Sequence, residues 1–140
     1  MKRVISAEAA ARVSFVLYGV FIVFHILVVA GIVPSNIVWG GRTTTRVELV
    51  RMEIVSLLIQ FVCVGLTLVK VTSLRTGRVR VIADIGMWAL FGLFTLNTIG
   101  NLFAVSLFEK LAFTPVTALL ALLALRLAIE RPRNTPGRPA

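Results

Sequence analysis

The side chains able to do chemistry inside the long apolar runs of this chain are few: His25, Glu53, Gln60, Asn97 and Asn101. An imidazole and a carboxylate can relay a proton or act as an acid–base pair, and carboxamides can line a polar path or donate to a developing oxyanion. Their spacing has order. Glu53, Ser56, Gln60, Cys63, Thr67 and Lys70 recur at alternating steps of three and four, which is one continuous face of a helix. Ser14, Tyr18 and His25 share a face in an earlier run, and Asn97 and Asn101 lie one turn apart in a later one. A seam between packed helices accounts for such stripes without chemistry, because interhelical hydrogen bonds help hold helices together in lipid. The sharper reading is a site, since ionisable groups inside a membrane are costly and tend to be functional.

The remaining candidates lie near the helix ends. Glu53 is placed to join an outer-rim ion-pair network with Arg42, Arg46, Arg51 or Lys110, and His25 to hydrogen-bond Gln60 or Asn97 as a neutral ring. Trp39, Gly40, Gly41 and Arg42 form an outer loop. It reads as a turn anchored by an interfacial tryptophan. Alternatively it is an anion-binding nest of backbone N–H groups beside Arg42, for a lipid phosphate or a carboxylate. Asp84, beside Arg78 and Arg80, reads as an ion-pair partner at the opposite end.

What must position these residues follows from composition. Of 140 residues, 58% are hydrophobic and 15% charged, against roughly 45–50% and about 25% in soluble domains. A water-soluble monomer is excluded on that balance. Crossing a bilayer core takes about 20 apolar residues per helix, and four stretches suffice, at about 13–33, 50–71, 81–104 and 107–130. The first is too long for a secretory signal's apolar core and reads as a retained helix. The expected fold is therefore all-α: a polytopic four-transmembrane-helix antiparallel bundle forming a single domain over 1–130. The basic, proline-rich segment 131–140 is expected to be a disordered tail. Thr45-Arg46-Val47-Glu48 and Ser106-Leu107-Phe108-Glu109 fit capping boxes. The second would start helix four near Leu107 and put a kink at Pro115; the competing start uses Thr114 as cap and leaves a helix too short to span.

The net charge is +9, from 15 Lys+Arg against 6 Asp+Glu. With the N-terminus inside, eleven of the fifteen basic residues fall on the inner side. The positive-inside rule then puts both termini in the cytoplasm, with Arg126 snorkelling to the inner surface. Anionic lipid headgroups at that basic face are the expected partners. Nucleic acid is not, for want of a motif or a soluble domain. One histidine and one cysteine exclude a multi-histidine metal site, a cysteine cluster and an internal disulfide, and no cofactor is expected.

Ile37-Val38-Trp39-Gly40-Gly41-Arg42 and Leu96-Asn97-Thr98-Ile99-Gly100-Asn101, with Phe108-Glu109-Lys110 and Phe113-Thr114-Pro115, resemble motifs of a group of small, uncharacterised bacterial four-helix integral membrane proteins. The resemblance covers most of residues 13–130. It implies a fold and the bacterial inner membrane, and no activity. Enzymes of the vitamin K epoxide reductase type need paired cysteines, and small multidrug exporters a glutamate in the first helix; neither is present here. Three functions stay open: a non-enzymatic membrane protein acting through lipid or protein contacts, a small proton-coupled transporter or channel component using His25 and Glu53, or an enzyme on a lipid-like substrate. A homo-oligomer or a membrane-protein partner is compatible with each.

Overall fold

A computed structural model describes residues 5–39, 45–72 and 77–130. The regular elements are α1 (Ala7–Val29), a short 3-10 turn (Ser35–Ile37), α2 (Arg46–Val71), α3 (Gly77–Leu102), a π-helical turn (Glu109–Phe113) and α4 (Thr114–Ala128). No strand occurs among the described residues. Four helices, the last counted from Glu109, are long and apolar enough to cross a membrane. The expected tail 131–140 lies outside the described residues.

Local chemistry sets the helix ends. Ser6 accepts from Ala9 N at 3.0 Å, which starts α1 well before the expected Val13. The other end closes at Val29 rather than Val33. Gly31 takes φ +79°, its N–H bonds Val28 O, and Ile32 N–H bonds Leu27 O, each at 3.0 Å. That pair of bonds is a Schellman motif, which needs the left-handed residue glycine supplies. Arg46 then adds its guanidinium to the Val28 and Val29 carbonyls, placing a cation on the negative end of α1's dipole. The capping reading of Thr45 holds, with its hydroxyl accepting from Glu48 N at 3.2 Å. So does that of Ser106, which accepts from Glu109 N at 3.4 Å.

Pro115 acts differently from a simple kink. It has no N–H for the carbonyl four residues back, and its ring crowds that carbonyl. The chain widens into a π turn, with Thr114 N–H bonding Glu109 O. Both expected starts are thus partly realised: the α-helix begins at Thr114, and the π turn extends it to the 20-residue span Glu109–Ala128.

The helices pack in a ring: α1 on α2, α2 on α3, α3 on α4, and α4 back on α1. Cross-helix bonds fix an antiparallel arrangement, since His25 near the end of α1 meets Glu53 near the start of α2, while Tyr18 meets Thr67. We call the end where α1 finishes and α2 begins distal, and the other proximal. The main core contains Tyr18, Cys63, Met87, Leu90, Phe94, Leu120, Leu123 and Leu127. The outside is apolar: Val16, Val20, Leu58, Phe61, Ile82, Ile85 and Leu96 are all exposed. Gly86 lets α3 approach α2 closely, with Leu66 seated where its side chain would be. Gly92 and Gly100 face open space instead.

The proximal end is held by charges. Lys70, nearly buried, bonds Asp84 and, at 3.3 Å, the Glu130 carbonyl. Arg80 lies 3.7 Å from Asp84. The expected partners of Asp84 were on its own helix; the principal one is on α2. Arg126 is 4% exposed. It donates to Ile5 O at 2.8 Å and pairs with Glu130 at 2.7 Å, so its charge is met by protein and it does not extend freely outward.

Removing Asp84 strands the Lys70 ammonium, and Asp84→Asn is expected to cost about 1–2 kcal/mol, tempered by the exposure of the carboxylate. Lys70→Met combined with Asp84→Asn should cost less than Asp84→Asn alone, since no buried charge is then left without its counterpart. Thermal unfolding in detergent across the cycle measures this. A double variant weaker than the single would contradict the pairing.

Candidate functional site

The five polar residues singled out within the spans, His25, Glu53, Gln60, Asn97 and Asn101, all line one cavity of about 390 Å³ in the distal half of the bundle. Each helix contributes for a local reason. The polar stripe of α2 faces inward and brings Glu53, Ser56, Gln60 and Cys63. The last two turns of α1 bring Phe21, Phe24 and His25, and α3 brings Phe94, Asn97 and Asn101. The π turn and the start of α4 add Glu109, Phe113 and Thr117. The cavity is partly open: Val55 and Ile59 line it and are exposed, as is Asn97.

At its distal end sits a three-residue cluster. Glu53 is 0% exposed. Its Oε2 lies 2.5 Å from His25 Nδ1, and its Oε1 accepts from Trp39 Nε1 at 2.7 Å. The expected outer-rim ion-pair network of Glu53 is therefore not formed among the described residues. The carboxylate turns into the bundle, Arg46 is engaged on α1, and Arg51 and Lys110 are exposed. His25 likewise takes Glu53, not Gln60 or Asn97. Antiparallel packing at this depth brings the glutamate within reach, and an ionised acceptor makes the stronger bond.

Trp39 is more than the surface anchor of the sequence reading. Its φ is +56°, a region bulky residues rarely occupy and one that costs of order 1–3 kcal/mol. The strained backbone carries the indole N–H onto Glu53. Gly40, Gly41 and Arg42, the rest of the candidate anion or lipid contact, lie outside the described residues.

The carboxamides divide by partner. Asn101 donates to Thr117 Oγ1 at 3.3 Å, and Thr98 donates to the same oxygen at 3.0 Å, so Asn101 helps clamp α3 to α4. Gln60 is nearly buried, and its Oε1 has no hydrogen-bond partner. Asn97 makes no hydrogen bond among the described residues, although it lines the cavity. Aromatic rings wall the space beside His25: Phe24 meets Phe113 edge-on at 5.0 Å, and Phe21 lies 5.7 Å from Phe113.

Sequence reasoning missed Thr117 altogether. The only hint was a threonine one turn beyond Thr114, next to a proline that disturbs the backbone. Glu109, which the sequence offered as part of a capping motif, is 5% exposed and lines the cavity.

An imidazole oriented by a carboxylate is half of a nucleophilic triad, but among the described residues no hydroxyl or thiol is hydrogen-bonded to His25. No group of three metal-binding side chains occurs among the described residues either. A second cavity of about 700 Å³ opens at the proximal end, lined by Arg12, Lys70 and Arg80 with Glu8, Asp84 and Glu130. The fully buried layer of Tyr18, Thr67, Met87, Leu120 and Leu123 lies between the two. Compared with protein-family models, curated proteins and solved structures, the chain matches none.

His25→Ala and Trp39→Phe each remove one donor from a buried carboxylate, and each should lower stability by about 1.5–3 kcal/mol. In a Glu53→Met background both effects should shrink, because no acceptor is left in need. Unfolding of the six chains in one detergent tests the cluster as a unit; strictly additive losses would show that the three side chains act independently.

Proposed function

We propose that this chain is a non-enzymatic, multi-pass integral membrane protein that binds a lipid or another small amphipathic molecule in its distal cavity. The outside of the bundle is apolar, while Glu53, Gln60, Thr67 and Lys70 are buried within it, which suits lipid as its solvent. The uneven distribution of basic residues favours the proximal end, with both termini, as the cytoplasmic one. Anionic headgroups would then meet the basic groups there. The resemblance to small bacterial four-helix proteins favours the cytoplasmic membrane of a bacterium.

One observation carries the binding reading. Gln60 and Asn97 line a partly open cavity with no partner for either carboxamide. Gln60 is buried, and buried polar groups are nearly always satisfied; a mostly apolar pocket with a few convergent polar groups is the usual form of a small-molecule site. Its 390 Å³ lies toward the small end of the roughly 300–1,000 Å³ common for such sites.

A proton-coupled transporter is the second reading. It is favoured by the His25–Glu53 pair and by two cavities at opposite ends separated by the Tyr18–Thr67 layer. A chain of this size would work as such in more than one copy.

Protein purified in mild detergent should carry a small organic molecule, detected by mass spectrometry of its extract, that Asn97→Trp lacks because the indole fills the cavity. Identical extracts from both would count against the binding reading. In proteoliposomes, proton flux that falls on His25→Ala would favour transport instead; equal flux removes that reading. A reporter fused after Ala140 should be cytoplasmic, and an external one would reverse the orientation.

A further inference from the structure

We infer that the occupant of the distal cavity is an uncharged amphiphile whose polar head both donates and accepts hydrogen bonds: an alcohol, a phenol or a primary carboxamide on an apolar body. The inference rests on the binding reading above and narrows it to one class of ligand.

Glu53 has both oxygens engaged, one by His25 and one by Trp39. The charge of this cluster is thus met inside the protein, and a ligand cation would have to compete with two short bonds for it. Asn101 donates through its amide nitrogen to Thr117, whose own hydroxyl proton goes to the Phe113 carbonyl. Glu109, the other carboxylate of the lining, is not free either. What remains open is neutral. Gln60, 8% exposed, presents an orphan acceptor, and Asn97 presents a whole carboxamide. Turning the Gln60 amide over would exchange an orphan acceptor for an orphan donor. Only a head that both donates and accepts satisfies the site in either orientation.

A charged head would fare worse. Neither carboxamide offers a countercharge, and an ion drawn from water into a largely apolar space is strongly penalised unless paired. The walls settle the other half of the ligand. Phe21, Phe24 and Phe113 line the same cavity, which suits a ring or a hydrocarbon chain. Val55 and Ile59 of α2 and Asn97 of α3 line the cavity and are exposed. The opening is therefore on the side of the bundle, between helices. A molecule dissolved in the bilayer enters there without crossing the polar ends.

The test uses the full chain in nanodiscs, with Trp88→Phe so that Trp39 is the sole tryptophan. Four probes share a ten-carbon chain: decanol, decanamide, decyltrimethylammonium and decanesulfonate. Decanol and decanamide are expected to change Trp39 fluorescence saturably, while the two ions give only the linear partitioning that they also show with empty nanodiscs. Gln60→Leu should weaken decanamide binding about tenfold, the worth of one hydrogen bond to a buried group. Asn97→Leu should weaken it too, and because Asn97 is exposed and unpartnered this variant keeps the fold. Saturable binding of either ion at equal or higher affinity overturns the inference while leaving the cavity a binding site. So does decanamide binding unchanged in both variants. If no probe saturates, the binding reading itself falls, and the inference with it.

Discussion

A single carboxylate with no exposure organises the distal half of this protein. Glu53 sits on α2 within the bundle, and leaving it there without donors would cost several kcal/mol. Both donors come from elsewhere in the chain: His25 from α1, and Trp39 from the segment between α1 and α2. That demand ties several features together. It fixes the depth of α1 against α2. It accompanies the tight Gly31 turn, which returns the chain toward α2, and the left-handed backbone at Trp39. Arg46, one residue beyond the Thr45 cap, secures the same junction by binding the last carbonyls of α1.

The bundle as a whole applies one rule in three places. Most buried polar groups are matched across helices within an otherwise apolar core, and many large apolar side chains also cover the outside. At the proximal end Lys70, Asp84, Arg126 and Glu130 satisfy one another and close the ring. In the middle, Tyr18, Thr67, Met87 and Leu120 pack without a gap for solvent. In the distal half the packing relaxes. The π turn forced by Pro115 adds a residue to the helical turn, and it brings Glu109 and Phe113 to the cavity where a regular helix would have aligned other side chains. The irregular backbone beside Pro115 thus supplies part of the cavity wall.

Much of the architecture was legible in the chain. The Thr45 and Ser106 caps form as their motifs demand, because capping depends on residues three apart. The stripe from Glu53 to Lys70 faces the interior, because helical periodicity alone decides which residues share a face. Partners were less legible. His25 was open to Gln60 or Asn97, and Glu53 to the basic residues of the rim, since depth along a helix can be read to about a turn and the rotation of one helix against another cannot be read at all. Thr117 gave no signal, because its role depends on Thr98 and Asn101 arriving beside it. Glycine was ambiguous for the same reason: Gly86 meets Leu66, whereas Gly92 and Gly100 meet nothing.

The amino-acid sequence by itself determined four long apolar helices, their caps, and the inward polar face of α2. These are local properties, fixed by hydrophobic content, by periodicity and by hydrogen bonds spanning a turn or less. Only the tertiary structure decided that Glu53 is held by His25 and Trp39, that Asn101 is spent on Thr117, and that Gln60 and Asn97 are left facing a shared space. Those outcomes depend on how helices rotate and slide against one another. That is settled by the summed packing of the whole bundle, and no short stretch of chain encodes it.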